Sequence, residues 1–166
     1  MPFLEGRYLT ATCAKIGTMS HRYAPCTLAT SVVEGFAYHG TNRDFDRFDA
    51  SFIGAVTDAG TLGVGFYFSS LFAVAQSYAE WVVWKTGEGQ PIVKTVRLLR
   101  CNPYYVTRAN MPRHLENDPR AARRFTQGLR RQGHDGVLHT LDHRSSGGEV
   151  FHEFVVYAPD QIMVVL

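Results

Sequence analysis

Apolar and polar residues change their rhythm several times along this chain, and each change marks an element. "QPIVKTVRLLR" alternates from Ile92 to Leu98, the period of a half-buried strand, and "NPYYV" follows it with a proline turn and a second short extended piece. Upstream, "EGFAYHG" predicts an apolar strand over residues 35–39. In "RDFDRFD", Phe45 and Phe48 read as anchors of a loop or short edge strand, and the glycine-rich "SFIGAVTDAGTLGVG" suits a loop. "GFYFSS" is short, aromatic and bounded by Gly and Ser, as a strand is. It runs into "SLFAVAQSYAEWVVWK", where Phe72, Ala75, Ala79 and Val83 fall at helical spacing, with Ser69 or Ser70 as N-cap. A second helix carries its own punctuation: Asp118 as N-cap, Pro119 at its first position and Gly133 just past its end. "DGVLHTL" and "EFVVYAPDQIMVVL" are strand-like, the latter broken by a turn at Pro159. Residues 1–34 keep no period and read as a lead-in with room for one short helix or strand, ahead of a folded domain over 35–166. Two helices set among strands without regular β-α-β alternation predict an α+β domain.

Composition narrows the picture without changing it. A chain of 166 residues, 45% hydrophobic and 19% charged, has the size and balance of one soluble domain, with no apolar run long enough to span a bilayer. A formal net charge of +2 gives no ground by itself for a nucleic-acid or membrane partner. Cys13, Cys26 and Cys101 are odd in number, widely spaced and without a C-x-x-C pair, which predicts reduced thiols in a cytosol-like compartment. The start, "MPFLEGRYLTATCAK", lacks the basic and apolar regions of a cleavable signal peptide.

Three places carry candidate chemistry. The first strand ends on His39, Gly40 and Thr41, although a core strand needs no imidazole there. Tyr67 lies in "GFYFSS", with Tyr78 eleven residues on, and Glu153 heads "EFVVYAPDQI". Taken singly, each has a plain structural reading: a hydrogen-bonded histidine at a strand end, two boundary aromatics, an edge glutamate. Glu149 is the alternative carboxylate if the register is shifted. His134, His139, His143 and His152 do not match a compact zinc spacing, so no metal is expected. The arginines of the second helix (Arg120, Arg123, Arg124, Arg130, Arg131) read as a solvated face, with RNA or an acidic protein as the minority alternative. Cys101 reads as a buried thiol, no base motif standing near it.

Together and in order, "YHGT", "GVGFYFSS" and "HEFVVYAPDQI" resemble the three strand motifs of the ADP-ribosyltransferase superfamily, in its His-Tyr-Glu branch of poly(ADP-ribose) polymerases, diphtheria-type toxins and bacterial or phage effectors. The resemblance covers residues 36–166, and "GHDGVL" and "CNPYYV" fall where the family has a Gly-x-Asp-Gly turn and an Asn-Pro strand end. It implies two small, roughly perpendicular, mostly antiparallel sheets forming an NAD cleft with flanking helices. His39 would donate a hydrogen bond to the adenosine ribose. Gly40, with Thr41 beside it, would meet the nicotinamide carboxamide, its missing Cβ permitting close approach. Tyr67 and Tyr78 would clamp the nicotinamide ring, and Glu153 would bind the ribose hydroxyl and stabilise positive charge as nicotinamide leaves.

Two departures matter. The polymerases' carboxamide-binding serine, eight residues after the first tyrosine, is replaced by Ala75. The second Glu or Gln of arginine-modifying relatives is replaced by Phe151, which argues against arginine as acceptor. The expectation is a mono-ADP-ribosyltransferase that uses NAD as co-substrate and modifies a macromolecule, a protein in the first instance with nucleic acid open, and no membrane partner. It would act in its own cytoplasm or in a target cell's cytosol as an effector or toxin. Two alternatives stand beside it: an NAD glycohydrolase using water, and a non-catalytic NAD- or nucleotide-binding module. The sequence carries no signal for an oligomeric state.

Overall fold

A computed structural model describes residues 36–54, 60–99, 102–143 and 149–165. The lead-in 1–34 and Cys13, Cys26 and Cys101 lie outside the described residues. Seven strands and two α-helices follow one another as β1 (Ala37–Thr41), β2 (Phe66–Ser69), α1 (Phe72–Thr86), β3 (Ile92–Leu98), β4 (Pro103–Val106), α2 (Pro119–Arg131), β5 (Gly136–His143), β6 (Glu149–Val156) and β7 (Ile162–Val164). The class is α+β. Instead of two separate sheets, hydrogen bonding connects all seven strands in the order β4-β5-β6-β2-β1-β3-β7. Only the β4–β5 pair is parallel among these neighbours.

One junction in this sheet is weak. β1 runs in full register with β3, from Ala37 opposite Val96 to Thr41 opposite Ile92, and β2 with β6, from Phe66 opposite Val156 to Ser69 opposite Glu153. Between β1 and β2 the register holds a single pair, Tyr38 with Ser69. The two halves, β4-β5-β6-β2 and β1-β3-β7, are therefore hinged at one position and part beyond it.

Strand alternation gives each face its own core. On one face Ala37, Phe66, Phe68, Val96, Leu138, Phe154 and Val156 bury against the loop after β1, whose Phe48 is buried and whose Phe45 packs on the cluster as expected. On the other, Val137, Val155, Val106 and Tyr157 bury against Leu62 and against Leu129 of α2. α2 begins as the sequence predicts: the Asp118 carboxylate accepts from the Arg120 and Ala121 backbone N–H groups, and Pro119 takes the first position. Ala122, Thr126 and Leu129 form its buried stripe, and its five arginines are exposed.

α1 departs from expectation in two ways. Its N-cap is Leu71, without a side-chain cap; Ser69 instead accepts from the Leu71 N–H one step outside the helix. Its buried stripe is Ala75, Ala79 and Val82, leaving Phe72 half exposed. Small residues win because the helix lies directly on β1. A Cβ built on Gly40 would stand 2.1 Å from the Ala75 carbonyl oxygen and 2.9 Å from the Ala79 nitrogen. Only glycine on the strand, facing alanine on the helix, allows that approach. The first strand covers 37–41, so the His-Gly-Thr tripeptide lies inside it.

Gly40→Ala should destabilise the domain by about 3 kcal/mol, the upper range for overpacking, because the added methyl meets rigid helix backbone. Urea unfolding checks this; a wild-type midpoint would mean that α1 shifts freely.

Candidate active site

The parting strands open a cavity of about 480 Å³, within the range of small-molecule sites. His39, Gly40, Thr41, Tyr67, Tyr78 and Glu153 all line it. Residues about 115 positions apart in the chain thus reach one hollow through four elements: β1, β2, β6 and α1.

His39 is held from both sides. Its imidazole sits among Phe45, Phe48 and Phe68, with ring centroids 6.2, 5.1 and 5.5 Å away. Its Nδ1 lies 2.8 Å from the Tyr67 backbone carbonyl. A carbonyl can only accept, so Nδ1 carries the proton. Burial among the phenylalanines lowers the ring's pKa, the carbonyl contact opposing it only in part. The neutral ring then presents Nε2 as an acceptor. In this tautomer Nε2 can accept from a hydroxyl in the cavity, whereas the sequence expectation was a donating His39.

Tyr67 is anchored at its hydroxyl. Its hydroxyl donates to the Gly63 carbonyl at 2.6 Å and accepts from the Leu62 N–H at 2.9 Å. A Cβ on Gly60, which has φ +78°, would strike the phenol. Tyr67 therefore fastens the 60–65 wall of the cavity, which α2 braces from behind: the Thr126 hydroxyl accepts from the Val64 N–H at 2.8 Å and donates to the Val64 carbonyl at 3.2 Å. Tyr78 approaches from the other wall, on α1, half exposed and 5.4 Å ring to ring from Trp81. Ala75, where the polymerases have serine, also lines the cavity, so that carboxamide contact has no side chain here. The missing Cβ of Gly40 faces α1, so helix packing alone demands glycine there.

Glu153 stands opposite Ser69 on one side and His139 on the other. Its side chain is 30% exposed, and burial raises its carboxyl pKa. Glu149, the alternative, begins β6 four residues earlier, in register with His143. His139 was not singled out as a site residue by sequence, yet its Nδ1 lies 3.9 Å from the Glu153 carboxylate. No local pattern announces it, because the facing depends on β5–β6 register. Arg47 was missed too: it lines the cavity with no ion-pair partner among the described residues, whereas Arg43 pairs with Glu88 and Asp44 with Lys94. No group of three metal-ligating side chains occurs among the described residues.

The remaining motif residues gather elsewhere. The Asn102 N–H donates to the Asp135 carboxylate at 3.1 Å and its amide to the Gly133 carbonyl at 3.2 Å. The Gln161 amide reaches the Asp135 carbonyl at 2.9 Å. The Asn-Pro, Gly-x-Asp-Gly and Pro-x-Gln-Ile pieces are thus one knot that joins the starts of β4, β5 and β7, with no part in lining the cavity.

In the comparison with known families, the model described as ADP-ribosyltransferase in polyvalent proteins aligns with residues 36–165. No curated protein and no solved structure matches the chain.

Because Glu153 ionises less readily in the folded state than when unfolded, it opposes folding as pH rises above its unfolded value of about 4.5. Glu153→Gln should therefore melt at a higher temperature than wild type at pH 7 to 8, with the gap closing toward pH 4. A gap independent of pH would show that the carboxylate is not strained by burial.

Proposed function

The chain belongs to the family of ADP-ribosyltransferases in polyvalent proteins, and on that premise we propose that it cleaves NAD, releases nicotinamide and transfers one ADP-ribose to a macromolecular acceptor. The observation that carries this reading is the meeting of His39, Tyr67, Tyr78 and Glu153 on one cavity between parting strands. We read the two halves of the sheet, hinged at Tyr38 and Ser69, as the family's two-sheet cleft.

NAD fits the groups present. Tyr67 from the β2 wall and Tyr78 from α1 supply aromatic faces for a planar nicotinamide ring. Nε2 of neutral His39 accepts from an adenosine-ribose hydroxyl. Arg47 supplies charge for the pyrophosphate, since the Asp44 carboxylate is engaged by Lys94 and Asp49 caps the Ser51 N–H. Glu153 accepts from a hydroxyl of the nicotinamide ribose. Cleavage of the C1′–N bond sends its electron pair to the nicotinamide nitrogen, which loses its positive charge as C1′ becomes cationic. A carboxylate fixed beside C1′ stabilises charge that exists only then, and its partial burial strengthens the effect. The acceptor's nucleophilic atom bonds C1′ and gives up its proton, with Glu153 as the base.

A protein is the acceptor we favour. Phe151, buried two residues before Glu153, offers no polar group to orient an arginine. The setting proposed is a cytosol-like compartment, in its own cell or in a recipient as for an effector, supported by three cysteines with no pairing motif.

Incubation with adenine-labelled NAD and lysates should release nicotinamide and leave label on macromolecules, read by mass spectrometry. Label found only as free ADP-ribose would make water the acceptor, and no nicotinamide release would leave a binding module. Glu153→Gln should lower turnover by about 10² to 10³-fold while binding NAD nearly as wild type. Wild-type turnover in that variant, folded, removes the catalytic assignment.

The two tyrosines should separate. Tyr78→Phe keeps NAD affinity and Tyr78→Ala loses about tenfold, the worth of one stacked ring. Tyr67→Phe weakens binding although its ring remains, because it frees the 60–65 wall. Equal, silent Phe variants in calorimetry would refute the fastening role.

A further inference from the structure

β5 and β6 pair in register over eight positions, from Gly136 opposite Val156 to His143 opposite Glu149, which fixes His139 directly across from Glu153. On its other side β5 is held by β4, where Val106 is the partner of His139. The His139 side chain is only 9% exposed. Its Nδ1 is fully buried and has no hydrogen-bond partner, one of two such side-chain atoms among the described residues. An unpaired ring nitrogen in the interior is costly, because it has given up water and gained nothing. Among the described residues the acidic oxygen that faces it is Oε2 of Glu153 at 3.9 Å, longer than a formed hydrogen bond. Catalytic hydrogen bonds are often long before substrate binds and tighten afterwards.

The ring's tautomer follows from its neighbour. A lone pair on Nδ1 aimed at a carboxylate oxygen would repel it, so the stable arrangement puts the proton on Nδ1. A metal reading is set aside because no third ligating side chain stands with the pair among the described residues. Resting on the reading of Glu153 as the catalytic carboxylate, we propose that His139 is its positioning residue: when the nicotinamide ribose occupies one carboxylate oxygen, the His139 Nδ1–H holds the other. No proton is transferred between them. The bond keeps the carboxylate aimed at C1′ and shares its negative charge with a donor, so His139 acts through Glu153 on the chemical step and makes no contact with NAD.

Paired substitutions test this at equal polarity. Asparagine places an amide nitrogen one bond beyond Cγ, where Nδ1 stands, whereas glutamine places it one bond farther. His139→Gln should lower kcat for nicotinamide release by about 10 to 100-fold, the worth of one hydrogen bond to a charged group, and change KM for NAD by less than about threefold. His139→Asn should recover most of the loss. If His139→Gln does not fold, His139→Leu, which suits the apolar surroundings, carries the same expectation. Melting curves alongside the kinetics establish that the variants compared are folded. A wild-type kcat in His139→Gln or His139→Leu, or folded asparagine and glutamine variants equally impaired, overturns the proposal. Glu153→Gln in parallel separates the two levels. If it is inactive while the His139 variants turn over normally, only the positioning role falls; if it turns over like wild type, the catalytic reading falls and takes this one with it.

Discussion

β1 and β2 share one register pair, Tyr38 with Ser69, and past it each strand keeps a full partner on its outer side only. Two neighbouring strands that stop pairing leave backbone groups that water or a ligand must satisfy. Across the gap from this stretch the His39 imidazole bonds the Tyr67 carbonyl. That bond fixes several things at once. It sets how far the halves part, selects the imidazole tautomer, and ties the backbone of the residue whose ring enters the cavity from the other side. The phenylalanines around His39 keep the ring neutral and belong to the core that supports the strands. Site and core are built from the same contacts.

The polar groups of the site share a common electrostatic condition. Burial lowers the pKa of His39 and His139 and raises that of Glu153, so each resists charge. Such surroundings are poor solvent for a lone carboxylate and good for one that meets a cation. A reaction that makes positive charge at a fixed point beside Glu153 turns that burial into stabilisation.

Elements with one dominant local signal were legible in the sequence. β3 follows from its alternation, and the start of α2 from Asp118 and Pro119, since strand period and cap chemistry act within a few residues. The α1 stripe was read one position off at Val83 because the helix packs on a glycine, which rewards small residues and exposes Phe72, against the usual preference for bulky ones. The four residues that meet at the cavity were legible through their motifs, but the His39 tautomer was not, since it depends on a carbonyl 28 residues away. His139 and Arg47 were illegible for a similar reason, since strand register and loop path bring them to the site and neither leaves a trace nearby. Asn102, Asp135 and Gln161 show the converse. They were visible as motifs, yet they serve strand placement.

The seam of Gly40 against Ala75 and Ala79 has no clearance, and a wall of backbone on backbone does not yield. On the opposite side the 60–65 segment is held as well, through the Tyr67 hydroxyl in front and the Thr126 hydroxyl behind. The ring that we propose stacks on nicotinamide thus belongs to the residue whose hydroxyl fastens the 60–65 wall. Under the proposed function one phenol therefore sets both the stacking face and the position of the wall, and neither can be altered without the other.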